Sequence, residues 1–274
     1  MQISSAGIST HYNQLGRRGQ FLVLLHGWGC NWEIFSPIIT ELSKNYQVII
    51  PDLPGFGKSD LPGLNPKKRA WDSLDYLIWL KDFLSQTISN QPVVVAGHSF
   101  GGKIAALLAA TQGQSELADA NLQLKGIVLI DSAGLPAPLT PKEQLSYSLS
   151  GLLPRFIKQA IPSILKRKVL ASADVGTDYQ AATPQLQAIL RQIVREDIGE
   201  NLKQITLPTL ICWGALDKTT PLTQGEAFAR AIFDNEFVVF DQSQHYPFID
   251  QPGKFIATLT SFLSTAYNHP TEHA

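Results

Sequence analysis

A chain of 274 residues with 44% hydrophobic and 16% charged residues is long enough to bury a full core and too apolar to be disordered. Its formal net charge of −1 argues against the concentrated basic face that nucleic acid or an anionic membrane requires, so the expected partner is a small molecule. No apolar run approaches the roughly 18 residues needed to span a bilayer, and the first residues lack the basic-then-apolar pattern of a secretory signal. The two cysteines, Cys30 and Cys212, fit thiols in a reducing cytoplasm, with a single disulfide as the alternative.

Residues 1–16 alternate loosely around Ser5-Ala6-Gly7, which predicts an opening antiparallel hairpin. Phe21 to Leu25 is a continuous apolar run, expected as a third, central strand, and it leads into His26-Gly27-Trp28-Gly29-Cys30. Asn31 is placed to cap a helix with Ile34, Ile38, Ile39 and Leu42 on one face. Tyr46 to Ile50 reads as the fourth strand, closed by Pro51-Asp52-Leu53-Pro54-Gly55-Phe56-Gly57-Lys58-Ser59, a loop too rich in Pro and Gly to be regular. Asp72 should cap the next helix, which carries Leu74, Leu77, Ile78, Phe83 and Leu84.

Val93 to Ala96 is β-branched and reads as a buried fifth strand, and Ile104, Leu107 and Leu108 recur at helical spacing. Between them lies Gly97-His98-Ser99-Phe100-Gly101, a strand, tight turn and helix in which a serine is flanked by residues small enough to let strand and helix approach. Ser99 is the candidate nucleophile. Gly126 to Ile130 is the sixth strand and ends in Asp131. Strands alternating with helices predict a parallel sheet covered on both faces.

From 132 to 205 the alternation stops. Amphipathic stretches at Leu145 to Ile157, Ile161 to Leu170 and Leu186 to Ile193, divided by prolines, predict a helical insertion between two core segments, 1–131 and 206–274. Thr209 to Trp213 and Phe237 to Phe240 are the seventh and eighth strands, with helices around Ala227 to Ile232 and Phe255 to Ala266. Tyr267 to Ala274 reads as a loose tail.

A serine nucleophile needs a base and an acid, and in this chemistry the order is commonly Ser, then Asp or Glu, then His. Asp217 closes Trp213-Gly214-Ala215-Leu216-Asp217 after the seventh strand, and His245 follows the eighth. Residues just past the carboxyl ends of parallel strands share one rim, so Ser99, Asp217 and His245 can meet there. Asp52 reads as an anchor for its own loop, and His26 and His98 as supports for neighbouring loops. His11, His269 and His273 are expected at the surface. No spacing suits a metal site, and Gly55-Phe56-Gly57 lacks the third glycine of a phosphate cradle, so neither metal nor cofactor is expected.

Taken together, His26-Gly27-Trp28-Gly29, Asp52-Leu53-Pro54-Gly55-Phe56-Gly57-Lys58-Ser59, Gly97-His98-Ser99-Phe100-Gly101-Gly102, Trp213-Gly214-Ala215-Leu216-Asp217 and His245 before Asp250-Gln251-Pro252 resemble the capped serine hydrolases of the α/β-hydrolase superfamily. The resemblance implies a mostly parallel eight-stranded sheet with helices on both faces and a helical cap at 132–205. It implies an oxyanion hole from the backbone amides of Trp28 and Phe100, and it makes Asp131 a competitor to Asp217, since some relatives draw the acid from that position. Gln244 stands where Gly is usual before the histidine. Serine at the elbow argues against haloalkane dehalogenases and epoxide hydrolases, which use a carboxylate there.

The favoured expectation is a carboxylesterase acting through an acyl-enzyme on a small-molecule ester of short to medium acyl chain, as monomer or homodimer. A carbon–carbon hydrolase of ring-fission products is the alternative, served by a cap cation among Arg155, Lys158, Lys166, Arg167, Lys168, Arg191 and Arg195. Tyr246 after the histidine and Gly27-Trp28-Gly29 depart from that group's Trp and Gly-Pro-Gly. A slow-turnover ligand receptor of the same fold is the reading from another class.

Overall fold

The structure, a computed structural model, describes residues 1–65, 67, 69–112, 122–136 and 182–268. Eight strands form one sheet in the order β1-β2-β4-β3-β5-β6-β7-β8. They are β1 (Gln2–Ser5), β2 (Ile8–Leu15), β3 (Phe21–Leu25), β4 (Gln47–Pro51), β5 (Pro92–His98), β6 (Gln123–Ile130), β7 (Thr209–Gly214) and β8 (Asn235–Phe240). β1 and β2 pair antiparallel, as does β2 with β4, and the pairings from β4 through β8 are parallel. β1 and β2 form the hairpin that the opening alternation predicts, and β3 to β8 stand where the apolar runs predict them.

The period-2 geometry of the strands splits the core into two layers. Val23, Leu25, Val93, Val95, Ile127, Leu129, Ile211 and Trp213 point to one face, covered by α2 (Ser73–Thr87), α3 (Phe100–Ala110), α4 (Pro184–Ile193) and α6 (Leu222–Ala231). Leu22, Leu24, Val94, Ala96, Val128, Ile130, Leu210 and Cys212 point to the other, covered by α1 (Ser36–Leu42) and α8 (Pro252–Asn268). The short α5 (Gly199–Leu202) packs near α3, and α7 (Pro247–Asp250) precedes α8. Among the described residues no helix is long and apolar enough to cross a membrane.

Local signals explain the boundaries. The Asn31 side chain accepts the Glu33 N–H, starting a 3-10 turn, Trp32–Phe35, that runs into α1. Asp72 opens α2 with a reciprocal capping box to Asp75. The buried face of α2 differs from the expected one: Leu74 and Ile78 are 53% and 59% exposed, while Tyr76, Trp79 and Leu80 are buried. The two aromatics cover more core and still satisfy their polar tips, Tyr76 Oη on the Pro54 carbonyl at 3.1 Å and Trp79 Nε1 on Thr10 Oγ1 at 2.9 Å.

The C-terminal segment also departs from expectation. α8 continues to Asn268, and Tyr267 is held inside it: its hydroxyl donates to the Phe21 carbonyl and accepts the Val94 N–H at 3.0 Å. Leu186 to Ile193 forms α4 as expected, with Leu186, Ile189, Leu190 and Ile193 buried in the layer around α3. The predicted stretches Leu145 to Ile157 and Ile161 to Leu170, with Arg155, Lys158, Lys166, Arg167 and Lys168, lie outside the described residues, as do His269 and His273.

Candidate active site

Ser99 stands between β5 and α3 at φ 51°, ψ −113°, a left-handed conformation that a non-glycine residue adopts only under constraint. The constraint is steric. A Cβ on Gly97 would lie 2.2 Å from the Gly101 carbonyl oxygen, and one on Gly101 would lie 2.4 Å from that of Leu25. Backbone bonds lock the turn: Ser99 N–H donates to Ile130 O at 2.9 Å, and Ser99 O accepts from Ala133 at 3.0 Å. Although Ser99 holds the N-cap position of α3, its hydroxyl makes no cap bond.

His245 follows β8, and its Nδ1 lies 2.7 Å from Asp217 Oδ2. Asp217 is fixed by the loop that carries it. Oδ1 accepts the N–H groups of Thr219 at 2.7 Å and Thr220 at 3.1 Å, and Oδ2 accepts the Thr220 hydroxyl at 2.6 Å. Burial pushes its carboxyl up, but the bond and charge of His245, with the Thr220 hydroxyl and the contact with Asp131, outweigh burial and hold the pKa at about 2. Asp217 is therefore a carboxylate at neutral pH.

His98 joins the elbow to the His245 loop. Burial, reinforced by the neighbouring His245, drives its pKa well down, so the ring is neutral. Its single N–H must sit on Nε2, which donates to the His245 carbonyl at 2.8 Å. The two imidazole centroids are 4.7 Å apart, and Tyr246 and Phe248 pack on His98. His98, next to Ser99 in sequence, thus ties the end of β5 to the loop that carries His245.

His26 serves the loop after β3. Burial lowers its pKa to about 4, Nδ1–H donates to Gly27 O at 2.8 Å, and Nε2 accepts the Leu53 N–H at 2.9 Å. Asp52, fully buried, accepts the N–H groups of Trp32 at 2.8 Å and Lys58 at 3.0 Å, the anchoring role its loop predicts. Its third partner is His11 Nδ1 at 2.8 Å, so His11 is tied into the fold and not a bare surface residue. The Trp28 ring meets Phe56 at 4.8 Å and Phe100 at 5.8 Å, which sets the β3 loop against the start of α3. The Phe100 amide lies in the first turn of α3, where no intrahelical acceptor exists.

Asp131 does not take the histidine; Asp217 does. Among the described residues one group could share a metal ion, Asp131, Asp217 and His245, with ligand atoms within 4.8 Å of one another. Two of the three residues are already bonded to each other, His245 Nδ1 to Asp217 Oδ2. Thr220 escaped the sequence reading, although a threonine three residues after an aspartate is a spacing at which side chains and backbone bond locally. The partner of His98 is 147 residues away and has no local signal. Lys103 was read only as part of a helix, yet it is buried, with Nζ 2.7 Å from Ile193 O and 2.8 Å from Glu196 Oε2.

A family model described as the alpha/beta hydrolase family matches residues 22–258. The chain belongs to the α/β hydrolase family. This α/β hydrolase is 30% identical over 269 residues to a pimeloyl-[acyl-carrier protein] methyl ester esterase of Aliivibrio salmonicida, covering 92% of the chain and 95% of the relative. It is 28% identical over 261 residues to a protein of the same name from Legionella pneumophila, covering 93% and 100%. Among solved structures it is similar to a meta-cleavage product hydrolase from Pseudomonas fluorescens, with TM-score 0.69, 21% identity and coverage of 97% and 98%. A bacterial membrane phospholipase A aligns with TM-score 0.69, 24% identity and coverage of 98% and 86%. At these identities the structures share the fold.

Proposed function

We propose that this α/β hydrolase is a serine carboxylesterase in which Ser99 is the nucleophile, His245 the general base and acid, and Asp217 the residue that orients the histidine. The observation that carries this reading is the 2.7 Å bond between His245 Nδ1 and an ionised Asp217, together with a Ser99 hydroxyl that is not spent on capping α3. Asp217 fixes the tautomer with Nδ1 protonated, leaving Nε2 to take the Ser99 proton as Oγ attacks the acyl carbon. The amides of Trp28 and Phe100 receive the developing oxyanion. Collapse of the tetrahedral intermediate breaks the bond to the alkoxy oxygen, which leaves with the proton from His245. Water, activated by the same nitrogen, then releases the acid and restores Ser99.

The full-length relatives are named as esterases of a pimeloyl methyl ester on acyl-carrier protein, which supports a medium acyl chain and a small alcohol here. In this reading the insertion between β6 and β7, residues 132–205, roofs the site and selects the acyl group. The buried face of α4, lying in the layer around α3, supports that placement.

The test is hydrolysis of p-nitrophenyl esters of graded chain length beside one ring-fission product. Many turnovers on esters of medium length are expected, and a single burst with stable binding would indicate a receptor instead. Ser99→Ala should abolish turnover, and Asp217→Asn should lower kcat about 10³ to 10⁴-fold by leaving the histidine in the wrong tautomer. A Ser99→Ala enzyme with full activity would refute the assignment.

A further inference from the structure

Asp131 is fully buried just past β6, at a φ of 41° that aspartate and asparagine tolerate better than most residues. Oδ1 accepts the Gly214 N–H at 2.9 Å. Oδ2 is buried too, and no donor among the described residues reaches it. The Asp131 carboxyl lies beside that of Asp217, itself an acceptor.

Two ionised carboxylates in contact within a dry site repel, whereas one proton between them turns the repulsion into a hydrogen bond. The surroundings disfavour a charge on Asp131 from several sides. Asp217 lies on the loop after β7 and Asp250 on α7, while the Cys212 thiol on β7 and His98 at the end of β5 are both neutral and supply no compensating charge. His245 already gives Nδ1 to Asp217. Burial, with Asp217 and Asp250 adding to it, pushes the Asp131 carboxyl well above the usual carboxylate range, against the pull of the Gly214 N–H. Asp217 is pushed the opposite way, so the pair divides one proton unequally.

We propose that Asp131 is a positioning residue that stays protonated at neutral pH and donates Oδ2–H to the Asp217 carboxylate, so that a chain of hydrogen bonds runs from Asp131 through Asp217 to His245. The inner acid thus holds the outer one in place. The part it plays in turnover rests on the esterase reading; its protonation does not.

Asp131→Asn is the informative variant, because an amide keeps Oδ1 for Gly214 and offers an N–H where the carboxyl hydrogen sat. Asp131→Ala is expected to lower kcat about tenfold with KM little changed, and Asp131→Asn to recover most of that loss. Asparagine as damaging as alanine would overturn the proposal. The His245 titration, followed by NMR of its ring protons, is expected to stay in place in Asp131→Asn. Were Asp131 ionised, the amide would remove a negative charge beside the imidazolium, and the titration would fall by about one pH unit or more, with the acid limb of kcat/KM following. That result would also overturn it. Infrared spectroscopy gives a reading independent of how the variants fold: the wild-type protein at pH 7 should show the C=O band of a buried protonated carboxyl, and its absence would refute the proposal. The NMR and infrared measurements need no turnover. A protein that shows the band but hydrolyses no ester therefore rejects the esterase reading alone, and an active esterase without the band rejects the role of Asp131 alone.

Discussion

His26 holds its two ring nitrogens in opposite roles, one donating to Gly27 O and the other accepting from Leu53, so a second proton on the ring would break the bond between the two loops. The sign of the pH effect follows. Folded His26 titrates at about 4 and the unfolded residue near its ordinary 6.5, so between those values the unfolded chain binds the extra proton and stability falls as pH falls. The full excursion corresponds to roughly 3 kcal/mol, and buried His98 acts in the same direction. The urea midpoint should drop from pH 7 to pH 5, and His26→Gln should flatten that slope; an unchanged slope would refute the account. Asp217 works in a lower window, contributing above its ordinary pKa and losing that contribution as pH falls toward about 2. At this scale Ser99 was legible because two glycines that no Cβ could replace flank it in sequence. Thr220 and the protonation of Asp131 were not, because they depend on which buried groups meet across strands.

α3 carries the elbow serine at one end and the buried Lys103 on its side, and the lysine fixes what lies above the helix. Its Nζ bonds to the end of α4 and to Glu196, and Glu196 in turn accepts the Ser73 N–H at 3.2 Å at the start of α2. One ion pair thus joins α2, α3 and the segment that follows α4. Removing one partner of a buried pair typically costs 3–5 kcal/mol through the charge left behind. Lys103 is almost wholly buried, while the Glu196 side chain is 23% exposed. Glu196→Gln, which strands the buried ammonium, should therefore destabilise by about 3–4 kcal/mol, and Lys103→Met by about 2. Urea midpoints for both variants and the double variant measure this, and the reverse order would contradict it. Strand positions were legible because a buried parallel strand is a continuous apolar run. The face of α2 was not, since the chain preferred Tyr76 and Trp79 inside over Leu74 and Ile78, a choice made by partners at Pro54 and Thr10.

Beyond its two apolar layers, the whole molecule is tied by long-range bonds that no window of sequence reveals. Tyr267 bridges the Phe21 carbonyl and the Val94 amide, the facing ends of the neighbouring strands β3 and β5. Tyr267→Phe would remove a partner from each of these part-buried groups, a loss of about 1–3 kcal/mol that a thermal melt at neutral pH should register; an unaltered melt would contradict the bridge. The bridge has a temporal side as well. The oxygen of Phe21 leaves the ribosome 246 residues ahead of the hydroxyl that satisfies it. At about 5–20 residues per second that interval is roughly 12–50 s. Until then β3 and β5, the strand that presents the elbow, can pair with each other but lack the hydroxyl that ties their amino ends together.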